Sequence, residues 1–198
     1  MIALLDNGQD LDACANEIGA EVGQLLTPLT RYRLRHPERP WAIDNGGFSG
    51  VDISAFDLLL EREYHHRHKC LFVVVPDIVA SAQRTREIFE VWAPRLSDWP
   101  LAYAAQDGQD NVAIPWDRIA FVFIGGSTSF KCSETVTQII KTAHLLGKKV
   151  HAGRVNSVLR WKHFEALGVY SCDGTGISQY SHMRRAIAQR DDQAELFA

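Results

Sequence analysis

The sequence predicts an α/β protein, a compact (β/α) barrel of the TIM type with about seven to eight parallel strands. Three observations lead there. Short apolar strands alternate with helical segments about seven times along 198 residues. Several strands are continuous apolar runs, such as LFVVV at 71–75 and FVFI at 121–124, which suits strands covered on both faces. Nearly every strand ends in polar or glycine residues, and in a parallel barrel those ends meet on one face.

In order, the strands are read at residues 2–6, 41–44, 70–76, 101–105, 121–124, 149–152 and 169–172. The helical segments are read at 11–26, 54–68, 82–92, 134–146, 157–167 and 178–189, each with apolar residues at helical spacing. Ser129 or Ser133 is placed to cap the helix near Glu134, and Gly147 and Gly168 fit stops after their helices. The connection 107–118 contains Pro115 and reads as mostly irregular. Seven units are few for a barrel, so either the barrel is incomplete or one strand is misplaced. An open doubly wound sheet is the alternative. It needs functional residues only at its switch point, and no GxGxxG or GxxxxGK[ST] loop occurs.

A hydrophobic fraction of 46% over 198 residues supports one sizeable core, so residues 1–198 are read as one domain, with 191–198 expected to fray. The start lacks the basic and apolar stretches of a signal peptide, and no window approaches the ~18 apolar residues of a membrane span. Cys14, Cys70, Cys132 and Cys172 are widely spaced with no CxxC pair, so reduced thiols and a cytoplasmic setting are expected. The net charge of −3 is not that of a strongly basic nucleic-acid binder, so any such binding must rest on a local cluster of cations.

The strand ends bring Asp44, Asp77, Gln106, Asp107, Gly125, Gly126 and Asp173 toward one pocket, with Asp6 at a further strand end. Carboxylate and amide groups can read the donor-rich edge of a purine-like base. A further carboxylate can attack an anomeric carbon, where positive charge builds as an N-glycosidic bond breaks. An aspartate at a strand end serves equally well as a cap or a turn residue, and Asp107 is read that way. Cations near the site are Lys131, His151, Arg154 and Arg160. Arg154 and Lys131 are assigned to phosphate, Arg154 because HAGRVNS puts an Arg–Asn pair directly after a strand. Arg184, Arg185 and Arg190 add a possible flank for backbone contact. In EYHHRHKC at 63–70, His65, His68 and Cys70 are potential metal ligands. That run sits at a helix C-terminus, where basic residues suit the dipole, and on the opposite face from the pocket. No metal and no cofactor is expected. Cys172 should point away from Asp173 and pack.

Five of these segments resemble, in order, the motifs of the queuine/archaeosine tRNA-guanine transglycosylases. IDNGGFSG at 43–50 resembles DSGGFQ, VPDIVAS at 75–81 the base-binding aspartate segment, and AYAAQDG at 102–108 the VQGG segment. FIGGSTS at 123–129 is similar to GGLAVGE, and LGVYSCDG at 167–174 to the segment ending in FDCV. The coverage runs from about residue 40 to 176. The resemblance implies Asp173 as nucleophile and Asp44 as the carboxylate beside sugar and base. It implies Asp77 and Gln106 on the base edge, Gly125 and Gly126 as backbone donors, and Phe48 as a stacking ring. The family's cysteine-rich zinc site and tRNA-holding part have no counterpart here. Asn45 replaces a serine, and Gly-Thr-Gly follows Asp173. The implied activity is cleavage of a nucleic-acid base from its sugar, by hydrolysis or base exchange, with DNA favoured over tRNA and a free base as a further partner. No membrane partner is expected, and a homodimer is compatible with the barrel class. The competing readings are a (β/α)-barrel enzyme of small phosphorylated metabolites and a non-catalytic base-binding module.

Overall fold

The computed structural model describes residues 1–6, 10–30, 32–47 and 50–189. Eight strands close into a barrel in sequence order: β1 (Ile2–Leu5), β2 (Val22–Leu26), β3 (Trp41–Ile43), β4 (Cys70–Val74), β5 (Leu101–Ala105), β6 (Phe121–Ile124), β7 (Lys149–Ala152) and β8 (Ser171–Asp173). Every neighbouring pair is parallel, and β1 pairs with β8 through Ile2–Ser171, Ala3–Cys172 and Leu4–Asp173. The barrel is therefore complete with eight strands, and of the two alternatives the sequence left open it is a misread segment, not an incomplete barrel, that accounts for the seven units.

The missing strand lay inside the segment read as a helix over 11–26. Helix α1 covers only Leu11–Ile18, capped at its start by Asp10 and stopped by Gly19 at φ 68°. Strand β2 follows three residues later. Its outward Gln24 breaks the apolar run, and that side chain ties down the next loop, donating to Arg33 O (2.8 Å) and accepting from Arg35 N (3.0 Å). Among the described residues no helix joins β2 to β3.

The remaining helices are α2 (Ile53–Glu63), α3 (Ala82–Trp92), α4 (Thr128–Lys131), α5 (Glu134–Leu145), α6 (Val158–Ala166), α7 (Thr175–Gln179) and α8 (Ser181–Ala188). Asp52, Ser81, Ser133 and Ser157 cap α2, α3, α5 and α6 with side-chain oxygens. Two expected helices are shorter than read. The segment 54–68 tightens to a 3-10 turn over Tyr64–Lys69, and 178–189 breaks at Tyr180 into α7 and α8. Gly147 and Gly168 follow their helices at φ 65° and 72°, as stops do.

Two apolar layers result from strand alternation. Leu4, Leu25, Phe72, Val74, Phe121 and Phe123 pack inside the barrel, while Leu5, Val73, Tyr103, Val122 and Cys172 face the helices. Cys70 also turns into the outer layer, donating to Phe72 O, whereas His65 and His68 are exposed. The three do not converge, and no group of three or more His, Cys, Asp or Glu among the described residues is arranged to hold a metal. Among those residues no helix is long and apolar enough to cross a membrane.

Gly23 lies where β2 passes the start of β3. A Cβ there would overlap Pro40 O and come within 2.8 Å of Leu4 Cδ2 inside the barrel. Gly23→Ala is therefore expected to cost about 1–3 kcal/mol of stability by overpacking. Denaturant unfolding checks this, and an unchanged midpoint would mean that β2 packs more loosely than described.

Candidate active site at the barrel mouth

The C-terminal strand ends enclose a cavity of about 270 Å³. Asp44, Asp77, Gln106, Gly125, Gly126, Lys131, Arg154 and Asp173 all line it, so eight residues assigned from sequence are brought together. Phe48 lies outside the described residues. Leu25 and Thr27, which follow from the unrecognised β2, complete the wall, with Phe123 and Thr175. A Gly19 stop followed by the short strand-length segment VGQLL is the signal that points to Leu25 and Thr27.

Asp173 ends β8 and points inward, two residues after inward Ser171. Its Oδ1 accepts from His151 Nε2 (3.1 Å) and from Arg154 N (3.1 Å). His151 is fully buried inside the barrel, stacked on Phe123 with ring centroids 5.0 Å apart. Its Nδ1 lies 2.9 Å from Ser171 Oγ. With Nε2–H donating to the carboxylate, Nδ1 accepts from the serine hydroxyl, and both nitrogens are satisfied. Asp173 Oδ2 makes no hydrogen bond among the described residues.

Arg154 holds a left-handed backbone at φ 58°, unusual for a side-chain-bearing residue. Its N–H to Asp173 and the Arg160 guanidinium on its carbonyl (3.2 Å) fix that conformation. Its backbone serves Asp173, and only its side chain faces the cavity and solvent.

Asp44 ends β3. Among the described residues its carboxyl accepts one hydrogen bond, from Gly46 N to Oδ1 (2.6 Å). Burial pushes its carboxyl up to about 7, the charge of Asp173 adds to the rise, and the Gly46 hydrogen bond opposes it. Asp77 and Asp6 push in the same direction as Asp173.

Asp77 is buried and clamped between two amides, Asn45 Nδ2 (2.8 Å) and Gln106 Nε2 (2.5 Å). Burial raises its carboxyl above the usual range, and the two amides hold the rise back. Gln106 Oε1 in turn accepts from Ala80 N (3.0 Å). Asp77 and Gln106, expected on a base edge, thus hydrogen-bond each other in the cavity wall. Gly125, expected as a backbone donor to a ligand, bonds through its N–H to Ala105 O (3.0 Å). It is a glycine because a Cβ would sit 2.5 Å from Gln106 Nε2. Gly126 turns at φ 72°, where a Cβ would meet Asp107.

Asp107 is a brace, as read from the sequence. It accepts from Ser127 N (2.8 Å) and Ser127 Oγ (2.5 Å). Burial opposes ionisation there, but these hydrogen bonds outweigh it and hold the carboxyl below its ordinary range. Lys131, assigned to phosphate from the sequence, is 3% exposed. Burial and the neighbouring Arg154 and Arg160 lower its ammonium to about 8, against the pull of Asp173 and Asp107.

The Asp44 shift has a stability consequence. Unfolded, Asp44 loses its proton near 3.8, while folded it keeps the proton to about 7, so folding weakens as pH rises across that window. Asp44→Asn removes the effect. Thermal melts should show the variant gaining on the wild type between pH 5 and 8, by an amount on the order of a few kcal/mol. Parallel melting curves across that range would contradict the buried, proton-holding Asp44.

No protein-family model matches the chain, and no curated protein does. Among solved structures the chain is similar to phosphoribosyl anthranilate isomerase from Thermus thermophilus, with a TM-score of 0.51 and 15% identity over 98% of each chain. It is also similar to a structure described as native KDPGal, with a TM-score of 0.47 and 13% identity over 98% of this chain and 95% of that one. Neither is a tRNA-guanine transglycosylase. The first likeness establishes a shared (β/α)-barrel fold.

Proposed function

We propose that the barrel-mouth cavity cleaves an N-glycosidic bond between a nucleobase and its sugar in nucleic acid. The observation that carries this reading is the pairing of two cavity carboxyls in different settings. Asp44 holds its proton to about pH 7, and Asp173 presents an unbonded oxygen on a carboxylate steadied by His151. Two carboxyls separated in this way divide into an acid and a nucleophile.

Asp44 donates its proton to the departing base nitrogen as the C1–N bond breaks. Asp173 Oδ2 bonds to C1 and neutralises the charge developing on the sugar. Water, deprotonated by the Asp44 carboxylate, then breaks the ester and leaves a free sugar hydroxyl. An incoming base attacking C1 in its place completes an exchange. His151 keeps Oδ1 fixed, so it is a positioning residue. The motif order from residue 40 to 176 supports a nucleobase as the leaving group. The Arg154 side chain lines the cavity and supplies positive charge beside it.

A second reading is an enzyme of a small phosphorylated metabolite, and the structural likeness favours it. The similar Thermus thermophilus protein carries a phosphoribosyl substrate in its name. Against it, Gly125 and Gly153, the natural backbone phosphate donors, bond to Ala105 O and Ile124 O.

The test is base release measured by mass spectrometry on DNA, tRNA and hypermodified phage DNA, with and without added 7-deazaguanine bases. Wild type should release a base, with a rate that falls above about pH 7 as Asp44 loses its proton. Asp44→Asn should lower the rate by roughly 10²–10⁴-fold, the usual worth of a general acid, and Asp173→Ala should abolish release. No release from any of these substrates, with turnover of small ribosyl phosphates instead, would establish the second reading.

A further inference from the structure

We propose that Lys131 is a carbonyl-capturing amine, forming an imine with the aldehyde of a ring-opened, phosphorylated ribose or deoxyribose seated in the barrel mouth. The base-cleavage reading has no use for this residue as a nucleophile. As a phosphate clamp it is poorly placed, because it is 3% exposed and lines the cavity from within.

The chain holds Lys131 rigidly. It is the last residue of α4, whose cap, Ser127, is fastened to Asp107 through both its N–H and its hydroxyl. Lys131 N donates to Ser127 O (3.1 Å), closing the turn. The Nζ has no hydrogen bond and no ion pair among the described residues. A buried ammonium without a partner is costly, and a methionine would fill the same space with less penalty. An amine whose work is done uncharged explains the residue.

The surrounding charges are Asp173 and Asp107, which favour the cation, and Arg154 and Arg160, which disfavour it. Burial exceeds them all and brings the group to about 8. About half of the amine is then neutral at pH 8. A surface lysine near 10.4 is neutral in only about one molecule in 250.

The step balances without any further reagent. The Nζ lone pair attacks the aldehyde carbon and the C–N bond forms. The carbonyl oxygen leaves as water, carrying the two protons that Nζ gives up. The substrate class rests on the hydrolytic branch of the base-cleavage reading, since the sugar left by base removal opens to this aldehyde.

The test needs no base release. The full chain is incubated at pH 8 with ribose 5-phosphate and sodium cyanoborohydride, and separately with an oligonucleotide carrying a preformed abasic site. Adducts are then mapped by peptide mass spectrometry. Lys131 is expected to be modified at least tenfold faster than exposed Lys141 and Lys162, with about a fivefold loss from pH 8 to 7. Lys131→Arg, which keeps a cation and cannot form an imine, should lose the adduct. Adducts with the oligonucleotide alone place the aldehyde in nucleic acid, and adducts with the sugar phosphate place it in a free metabolite. Labelling of Lys131 no faster than of Lys141 and Lys162 with both probes overturns the proposal. That measurement needs only the wild type, so it stands even if the variant does not fold. Failure of base release alongside strong Lys131 labelling would sink the base-cleavage reading and leave the amine assigned.

Discussion

Closure of the sheet between β8 and β1 fixes which residues can act. Once eight strands are paired in a ring, each alternate side chain points into a space only wide enough for packed side chains. Phe72, Phe121 and Phe123 fill that space from below. The next layer contains the buried His151, and the layer above it carries Asp44 and Asp173. The register pairs His151 with Ser171, so the hydroxyl that orients the imidazole and the carboxylate it supports lie on the same strand one alternation apart. Shifting β8 by one residue would bring Cys172 inward and turn Ser171 and Asp173 toward the helices.

Four of the carboxyl groups near the mouth are sorted by how many donors each receives. Asp107 has the Ser127 amide and hydroxyl and serves as a tie between β5 and α4. Asp77 has two side-chain amides and ties β3, β4 and β5. Asp173 has an imidazole and a backbone N–H on one oxygen, leaving the other open. Asp44 has one backbone N–H, and there burial wins. Donor supply against desolvation, rather than residue type, thus separates Asp107, held below its ordinary range, from Asp44, whose carboxyl is raised.

The sequence made the strand ends legible because continuous apolar runs followed by Asp, Asn and Gly are local signals. Asp44, Asp77, Gln106, Arg154 and Asp173 follow from those signals and share one cavity. What stayed hidden was lateral. The Asp77–Gln106 contact spans 29 positions and His151–Ser171 spans 20, and both depend on strand register. Burial of Lys131 depends on how far the β6–α4 turn leans over the mouth, and no local pattern encodes that. Strand β2 was missed for the opposite reason, since Val22 and Leu26 continued the helical spacing of Leu11, Cys14 and Ile18, and the Gly19 stop was outweighed.

The asparagine at position 45, where the transglycosylase motif has serine, has a physical account in this barrel. Its Nδ2 donates to both Val75 O (3.0 Å) and Asp77 Oδ1 (2.8 Å), and its Oδ1 accepts from Gly47 N (2.5 Å). A serine hydroxyl has one hydrogen to give and cannot reach three such partners. The amide fastens the β3 end to the β4 end at the base of the Asp44 loop. Gly47 must then lack a side chain, because a Cβ would lie 2.6 Å from Asp77 Oδ1 and 2.7 Å from Asn45 Oδ1. β3 is only three residues long, with a register irregularity against β4, so its ladder alone holds that end weakly. Asn45 and Gly47 act as one unit that keeps Asp44 seated in the buried position on which its retained proton depends.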